Sequence, residues 1–486
     1  MSSIRSRVAR ESLYRGSMFT GVGHKNKAAA QQYFDEHLSR DDYYTEKQTR
    51  AGQWIGSGVE RLGLQEGHDV DKDAFLLLCD NKHPTTEGKL TQRQNRDGNR
   101  RVFFDFTCSA PKSVSIMAVM IGDERIALAH EQAAKFAFKE FEQFAAVRVR
   151  KDGANTNRAT SKVVAASFVH NSSRALDPQL HTHFVTFNCT FDEKEKRWKA
   201  LQEFEMFAAR RYATEVYRNE LAKQLRSLGY GIEDTNKGFE IKGVSQDLIQ
   251  RFSKRARERD EIVGRLEKKL GRKLSDNEVS HVIRKSRSKK VKGISTEELR
   301  RYQQSQLTNE ELSSLLSLRS SAKQERGSAV IVTESEAVKY ATEHLFERNS
   351  VVPEHELLST SLIHGRGQVD LNRLKSEIEF FPDLLRLGNG QEISTREILK
   401  TEKYLIDFMN AGKQKSEPLN SEYIPSEKLG KDQRQAIDHI LKTLDTCTGI
   451  RGLAGTGKTT VLSELSKALI PSGCGSSLLF CTKLAL

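Results

Sequence analysis

Two histidines separated by one residue, His181 and His183, stand in the stretch RALDPQLHTHFVTFN. The run is rich in Val, Phe and Thr and predicts a β-strand, in which residues i and i+2 point to the same face. His170 ends another strand-like run, and a polar loop of ten residues containing a proline predicts that the two strands pair antiparallel. Three imidazoles converging in this way would leave open coordination positions, as a catalytic metal site requires. Two half-buried strand histidines remain the simpler interpretation of the pair alone.

The ion that such a site would hold depends on its chemistry. Imidazole suits transition metals, including Zn²⁺, whereas reactions on phosphate favour hard ions such as Mg²⁺ and Mn²⁺. A phosphodiester would also supply the oxygen ligands that three histidines lack. We therefore expect a divalent metal, Mg²⁺ or Mn²⁺, with Zn²⁺ as the alternative.

Three tyrosines near the start of the chain, Tyr33, Tyr43 and Tyr44, are candidate nucleophiles. A phenol has a pKa of about 10 and needs a nearby base or cation to attack at neutral pH. Asp105 lies among apolar residues in the strand-like run VFFDFTCSAPKS. There it could orient a ligand histidine or accept the phenolic proton. Taken singly, each tyrosine is more simply a packed ring. Asp105 could equally be an acid at a strand end that faces solvent.

The chain has 486 residues and a net charge of +13, which suggests a polyanionic partner. Between Arg251 and Lys292, 16 Lys or Arg stand against 6 Asp or Glu. This stretch is either a solvated helical surface or a nucleic-acid contact, and the concentration of one sign favours the second. No apolar run approaches the ~20 residues that cross a bilayer, and the six cysteines include no CxxC pair. A cytoplasmic protein with reduced thiols and no membrane insertion is expected.

The periodicity of the first half predicts an α+β fold. Strand-like runs at 100–109, 161–170 and 181–191 accompany long helical patterns at 123–146 and 204–230. This combination predicts an antiparallel sheet with helices packed against it, followed by helical segments and a partial α/β domain.

The partial α/β domain is predicted from GLAGTGKT, which fits the P-loop pattern. It follows a short strand-like run and opens a helix, the context that a phosphate-binding loop requires. Lys458 would reach the β- and γ-phosphates, and Thr459 would hold Mg²⁺. The predicted nucleotide site comprises Gly452, Gly455, Thr456, Gly457, Lys458, Thr459, Thr460 and Gln433, the last resembling the adenine-reading Q-motif of superfamily 1 helicases.

The sequence ends at Leu486, shortly after the P-loop. A helicase motor would need a second acidic strand, an arginine finger and a second lobe beyond this point. The expectation is therefore a truncated or frameshifted product that binds ATP weakly and neither hydrolyses it nor unwinds DNA.

These features together resemble the TrwC/TraI-type conjugative relaxases, the MobF class of HUH endonucleases. The matching features are Tyr33-Phe34, Tyr43-Tyr44, DFTCSAPKS at 105–113, the His170 to His183 spacing with its DPQL lead-in, and the helix-like run at 198–230. The resemblance covers roughly residues 18–300 and implies the palm-like fold of HUH relaxases.

The resemblance also implies a role for each candidate residue. The divalent metal would be held by three histidines, namely His170, His181 and His183. Tyr33 would attack the scissile phosphate at the nic site, leaving a 5′-phosphotyrosine and a free 3′-hydroxyl. Tyr43, with Tyr44 as its neighbour, would serve the second strand transfer, and Asp105 would be the acid near the metal and the nucleophile.

At the level of the whole chain, the resemblance implies site- and strand-specific DNA nicking and rejoining at a transfer origin during conjugation. The partners would be single-stranded DNA with an origin hairpin, relaxosome accessory proteins and a type IV secretion coupling protein. The expected order is a disordered leader (1–17), a relaxase domain with a basic helical end (18–300), a helical region (301–410), a linker (411–428) and a truncated superfamily 1 helicase domain (429–486).

Three other functions compete with this interpretation. A rolling-circle replication initiator would use the same chemistry, but its tyrosine usually follows the histidines, whereas here it precedes them. A metal nuclease would use water as the nucleophile. A catalytically inactive DNA-binding fragment would retain only the fold.

Overall fold

The computed structural model describes residues 19–24, 52–92, 101–151, 153–173, 175–275, 278–279, 296–322, 331–388, 390–453 and 455–469. The leader at 1–17 and the three candidate tyrosines, Tyr33, Tyr43 and Tyr44, lie outside these residues. The chain divides into two compact units, Met1–Phe381 and Pro382–Leu486. In the described part of the chain, no helix is long and apolar enough to cross a membrane.

The strands of the first unit are β1 (Phe19–His24), β2 (Gln53–Ile55), β3 (Phe103–Ser109), β4 (Ala146–Lys151), β5 (Ala154–Ala159), β6 (Ala165–Ser172), β7 (Pro178–Phe187), β8 (Thr190–Asp192), β9 (Arg197–Lys199), β10 (Leu201–Gln202), β11 (Ile232–Thr235), β12 (Gly238–Ile241) and β13 (Val352–Pro353). Its helices are α1 (Lys72–Cys79), α2 (Lys112–Ser115), α3 (Glu124–Glu142), α4 (Phe204–Ala208), α5 (Arg210–Ser227), α6 (Gln246–Arg251), α7 (Lys254–Leu270), α8 (Thr296–Gln304), α9 (Asn309–Ala322), α10 (Glu334–Phe346), α11 (Glu354–His364) and α12 (Leu371–Phe380).

A five-stranded sheet in the order β1-β3-β7-β6-β2 organises this unit, and every neighbouring pair in it is antiparallel. The expected antiparallel sheet with packed helices is therefore confirmed. The connection between β6 and β7 is shorter than predicted, because β7 already begins at Pro178. The predicted strand 181–191 is divided, because Asn188 leaves the ladder and its side chain bonds the backbone of Arg101 and Leu201 instead.

Both faces of the sheet carry packed apolar side chains. On the front, Phe103, Phe168 and Phe187 pack around Phe75 of α1 in one apolar cluster. On the back, β3 and β7 pack against α3 through ring pairs such as Phe138 with Phe184, whose centroids are 4.4 Å apart. Burial of such aromatic side chains supplies most of the stabilisation of a sheet of this kind.

Helix α3 can approach the back of the sheet closely because its buried stripe is rich in alanine. The stripe includes Ala129, Ala133 and Ala137, each at most 4% exposed. The helix begins where the Asp123 side chain accepts a hydrogen bond from the Arg125 amide, an N-cap that satisfies one of the free donors of the first turn. The stripe also contains His130, which is fully buried.

A π-helical turn at Ile116–Met120 follows α2. Three successive backbone carbonyls at 119–121 accept hydrogen bonds from the side chains of Arg300, Gln304 and Arg319, which belong to α8 and α9. These donors satisfy carbonyls that the end of a helix leaves without intrahelical partners. The hydrogen bonds at the end of this turn therefore depend on side chains that lie far along the sequence.

The second unit contains the hairpin β14 (Leu384–Leu387) and β15 (Glu392–Thr395), together with α13 (Arg396–Ala411), α14 (Lys431–Lys442) and α15 (Lys458–Leu469). Apolar residues of α14 and α15 form its core. Residues 412–430 carry no helix or strand, yet Asn420 and Tyr423 bond to α15. The strand-like run before the P-loop forms no strand in the described residues.

Candidate metal centre

Three histidine rings meet on the front face of the sheet. His170 of β6 lies directly opposite His181 of β7, and His183 follows two residues later on the same face. The ring centroids are 5.3 Å apart for His170 and His181, 5.2 Å for His170 and His183, and 5.1 Å for His181 and His183. Strand pairing and alternation therefore bring the three predicted ligands into one nearly equilateral group.

The spacing of these rings agrees with that of imidazoles around one ion. With a metal–nitrogen bond of about 2.0–2.1 Å, a ring centroid lies about 3.2 Å from the metal, so ligands at angles of about 90–110° have centroids about 4.5–5.3 Å apart. Among the described residues, no three His, Cys, Asp or Glu side chains are already closed around a single ion position. The three histidines thus have centroid separations that suit a ligand set.

Asp105 controls the tautomer of His183. Its carboxylate, 6% exposed, accepts a hydrogen bond from Nδ1 of His183 at 2.9 Å to Oδ1 and 3.0 Å to Oδ2. The hydroxyl of Thr107 lies 3.1 Å from the same nitrogen. Because a carboxylate can only accept, Nδ1 is the donor in this contact, and Nε2 is the nitrogen through which the ring would bind a metal.

His181 is held in a similar way. Its Nδ1 lies 2.9 Å from the carbonyl oxygen of Gln179 on the same strand, so the backbone is the acceptor and Nε2 again has the lone pair. Desolvation, helped by the neighbouring His183, lowers the pKa of His181 to about 3. The ring is therefore neutral at physiological pH, which is the form that binds metals.

The sequence pattern did not identify the residues that pack on the back of β7, on the side opposite His181 and His183. Thr182 lies between His181 and His183 but faces the back of the sheet, where its Oγ1 is 2.9 Å from Nε2 of His130. Nδ1 of His130 is 2.8 Å from the hydroxyl of Tyr217 on α5. The signal that could have found His130 is a polar ring in an otherwise apolar, alanine-rich helical stripe.

The loop that leads into β7 is fixed by charged groups. Lys112 donates to the carbonyl of Pro178 at 2.8 Å, and the backbone amide of Lys254 donates to Asp177 at 2.9 Å. Burial lowers the pKa of Lys112 to about 8 and raises the pKa of Asp177. The preceding Leu176 has a φ of +62°, a strained value for a residue with a side chain. Lys254, the first residue of α7, is thus hydrogen-bonded to the loop that precedes β7, the strand that carries His181 and His183.

Strands β4 and β5 belong to a three-stranded sheet in the order β10-β4-β5, and beyond the short pairing with β10 they continue as a ribbon that carries basic and amide side chains on one face. Arg148 pairs across the ribbon with Asn157, and Arg150 with Asn155. All four are exposed. Such a ribbon has the width to enter the major groove of B-DNA, and these side chains can contact phosphates and base edges.

The predicted nucleotide loop is formed in the second unit. Gly455 and Gly457 have φ values of +83° and +76°, and α15 begins at Lys458, as the motif predicts. The Lys458 ammonium donates to the carbonyls of Gly452 and Leu453 at 2.9 and 2.8 Å. In this conformation, the Lys458 ammonium is therefore bound to backbone carbonyls of the P-loop itself.

Gln433 lies beside this loop. Its Nε2 donates to the carbonyl of Thr456 at 3.1 Å, and its Oε1 accepts from the amide of Gly430. Thr459 and Thr460 lie in the first turn of α15. All eight predicted nucleotide residues are thus in or beside one loop.

Solved structures of the conjugative relaxase TrwC are similar in fold to a large part of this chain. A metal-bound complex of TrwC with oriT DNA is 31% identical, with a TM-score of 0.51 over 59% of this chain and 96% of that chain. A copper-bound complex is 30% identical, with a TM-score of 0.53 over 61% of this chain and 98% of that one. A complex with a 27-mer DNA comprising the recognition hairpin and the cleavage site is 28% identical, with a TM-score of 0.51.

Among curated proteins, the multifunctional conjugation protein TraI of Escherichia coli, and its counterpart in strain K12, are 37% identical over 243 residues. The match covers 46% of this chain and 13% of each relative, so the chain spans a small part of the length of these relatives. A family model of the AAA domain matches residues 428–481. A model of the TrwC relaxase matches residues 27–310, which include the histidine group and Asp105. With more than half of its length so matched, the chain belongs to the TrwC relaxase family.

Proposed function

We propose that the chain nicks and rejoins one strand of DNA at a transfer origin through a covalent 5′-phosphotyrosine, in the conjugative transfer of a plasmid or related element. The observation that carries this proposal is the histidine group with Asp105 hydrogen-bonded to one of its members. The oriT DNA bound in the TrwC complexes and the conjugation protein TraI agree with it.

The chemistry is an exchange of phosphodiesters. The phenolic oxygen of Tyr33 forms a bond to the scissile phosphorus as the bond from phosphorus to the 3′-oxygen breaks. The phenolic proton leaves through a base near the site, for which Asp105 is the candidate, and the departing 3′-oxygen takes up a proton. Rejoining reverses these steps, and Tyr43, with Tyr44 beside it, provides a second phenol for strand transfer.

His170, His181 and His183 would hold a divalent metal, which we propose to be Mg²⁺ or Mn²⁺, with Zn²⁺ as the alternative. When bound, it would polarise the phosphoryl oxygens and offset the negative charge that develops on them. Asp105 contributes by fixing the tautomer of His183, and the Gln179 carbonyl does the same for His181. The donor set fits because Nδ1 of two of its rings is engaged in a hydrogen bond, which leaves Nε2 as the nitrogen that would bind the metal.

The proposed partner is single-stranded DNA that carries a hairpin beside the cleavage site. The exposed basic ribbon β4–β5 is suited to the duplex stem, and the metal face of the sheet to the single strand. Relaxosome accessory proteins and a type IV secretion coupling protein are further proposed partners, on the strength of the family alone.

The P-loop of the second unit is proposed to bind ATP weakly. The glycine conformations and the lysine suit phosphate, and the match to the AAA domain agrees with this. Phosphate would have to displace the Lys458 ammonium from two carbonyls of its own loop, which would lower the affinity.

The test of the relaxase proposal is the formation of a protein–DNA adduct. The full chain is incubated with single-stranded origin DNA and Mn²⁺, and denaturing gels are searched for a DNA-linked species. We expect an adduct with the unsubstituted chain, none with H181A/H183A, and its loss or strong reduction in Y33F. Y14F, which removes a phenol from the leader, is the matched control and is expected to leave the adduct unchanged.

Other outcomes of the same experiment identify the alternatives. Cleavage without any adduct would mean that water is the nucleophile. An undiminished adduct in Y33F would contradict the assignment of Tyr33. Binding of the DNA without cleavage would leave a catalytically inactive DNA-binding protein, and cleavage confined to a replication origin would indicate a rolling-circle initiator.

A further inference from the structure

We infer that His130 is a positioning residue for the metal centre and acts through Thr182 on the two histidines that flank it. The inference rests on the proposed metal-dependent function and deepens it. His130 lies behind the sheet, and its two ring nitrogens bond to Thr182 and Tyr217 instead of to a candidate ligand. It acts from the back of the strand.

On the back of β7, the side chain of Thr182 makes a hydrogen bond with His130 of α3. Its side chain is 1% exposed and points away from the rings of His181 and His183, as strand alternation requires. Farther along the same face, β7 packs on α3 through the stacked rings of Phe184 and Phe138. Stacked apolar rings tolerate small sliding motions, whereas a hydrogen bond fixes both distance and direction.

His130 links Thr182 to both α3 and α5. Its ring lies on α3, with Nε2 2.9 Å from Oγ1 of Thr182 and Nδ1 2.8 Å from the hydroxyl of Tyr217 on α5. A neutral imidazole has one donor and one acceptor nitrogen, and each hydroxyl can play either part, so both bonds form in either tautomer. Strand β7 is thereby fixed relative to α3 and α5 at the residue between its two ligands.

Burial of a histidine at this place has an unfavourable free energy, which indicates that its hydrogen bonds serve a function. The ring is 0% exposed in a stripe whose neighbours are Ala129, Ala133 and Ala134, all at most 4% exposed. Burial of a polar ring without partners is unfavourable, and an apolar side chain would pack there without that penalty. The bonds to Thr182 and Tyr217 satisfy the ring, and their geometry sets the position of the strand.

The precision required at the metal centre explains why such a tie is useful. A metal site needs its ligands held within about 0.5 Å of the productive geometry. The centroids of His181 and His183 are 5.1 Å apart, and both depend on the path of the backbone through Thr182. A small displacement of that residue moves both rings together relative to His170 on β6.

The test compares threonines on one face of one strand. T182V removes the hydroxyl with almost no change in shape, and T182S restores it. T186V is the matched control, because Thr186 is also on β7 and fully buried but bonds only weakly to its own strand, at 3.4 Å to the carbonyl of Phe184. Binding of Co²⁺ to the full chain is measured by calorimetry, together with the visible absorption of the bound ion and the melting temperature of the metal-free protein.

We expect T182V to weaken Co²⁺ binding about tenfold and to alter its visible spectrum, while T182S and T186V stay within about twofold of the unsubstituted chain. A merely structural role would lower the melting temperature of T182V and leave Co²⁺ affinity and spectrum unchanged, which would overturn the inference. Absence of Co²⁺ binding in the unsubstituted chain would instead overturn the proposed metal centre, and this inference with it.

A second variant keeps the inference testable if T182V does not fold. Y217F removes the partner at the far end of the His130 ring and leaves β7 itself intact. We expect Co²⁺ binding to weaken in the same direction but by less. Co²⁺ affinity and spectrum equal to those of the unsubstituted chain would contradict a role for His130 in positioning the ligands.

Discussion

The carboxylate of Asp105 and the imidazole of His183 form a hydrogen bond of 2.9 Å that runs diagonally between two neighbouring strands. Directly across the ladder, Asp105 pairs with Val185 and His183 pairs with Thr107. The hydroxyl of Thr107 lies 3.1 Å from the same Nδ1 of His183. The acid therefore acts on the ligand from within the sheet.

Replacement of this acid predicts a loss of metal affinity. D105N keeps the size of the side chain but substitutes a weaker acceptor, whose amide group can also turn its donors toward Nδ1. We expect Mn²⁺ binding to weaken about 10- to 100-fold, as for other partners of ligand histidines. Calorimetric titration measures this, with T107V as a control expected to have a smaller effect. Equal affinities of D105N and the unsubstituted chain would show that Asp105 does not act on the ligand.

The ribbon β4–β5 predicts a change in the salt dependence of DNA binding. In the variant R148A/R150A, we expect weaker binding to origin hairpin DNA and a log–log salt slope that is shallower by about 0.9 for each duplex phosphate that the two arginines neutralise. Fluorescence anisotropy at several salt concentrations measures both quantities. K196A removes an exposed cation paired with Glu193 at 3.1 Å and serves as a control with an unchanged slope. An unchanged slope in R148A/R150A would exclude this ribbon as a phosphate-binding surface.

A buried ion pair predicts a large effect on stability. Arg366 donates to the carboxylate of Glu215 at 3.0 Å, and both side chains are 5% exposed. R366M would leave the acid buried with one fewer partner, so we expect the free energy of unfolding to fall by about 3–5 kcal/mol. Urea denaturation measures this. R348M removes an exposed arginine 3.8 Å from Glu347 and should cost less than about 1 kcal/mol. Similar decreases in the unfolding free energy of R366M and R348M would contradict the claim that burial makes the Arg366–Glu215 pair important for stability.

His130 predicts a pH dependence of stability. Desolvation lowers the pKa of the folded residue to about 3, whereas an unfolded histidine has a pKa of about 6.5. Between these values only the unfolded chain binds the proton, so this group makes the folded state less stable as the pH falls from about 6.5 toward 3. In H130Q, we expect the slope of unfolding free energy against pH to be smaller by about 1.4 kcal/mol per pH unit in this window. Denaturant titrations at pH 7.5, 6 and 5 measure the slope, and parallel profiles would contradict the prediction.

Much of the metal centre follows from local rules of sequence. Alternation along a strand makes His181 and His183 co-facial, and a short antiparallel connection brings His170 opposite His181. The acid beside a ligand was also predictable, because Asp105 lies within an apolar strand. These features depend on residues that are neighbours in the sheet, where period and pairing determine position.

The remaining features depend on packing between distant segments. His130 meets Thr182 and Tyr217 across 52 and 87 residues, and no local pattern specifies such contacts. The division of the predicted strand at Asn188 depends on its bonds to Arg101 and Leu201. The strand-like run before the P-loop is a further case, since a strand forms only where it pairs with another segment of the chain.

The π-helical turn at 116–120 has a consequence for the order of synthesis and folding. Its carbonyls are satisfied by side chains that lie 181 to 198 residues later in the chain. At about 5–20 residues per second, a ribosome needs roughly 10–40 s to make that stretch. The nascent chain would therefore carry an incomplete turn, just beyond β3 and α2, until Arg319 has emerged. A chain shortened to the end of the family match at 310 would keep Arg300 and Gln304 but would permanently lack Arg319, the donor to the carbonyl of Ile121.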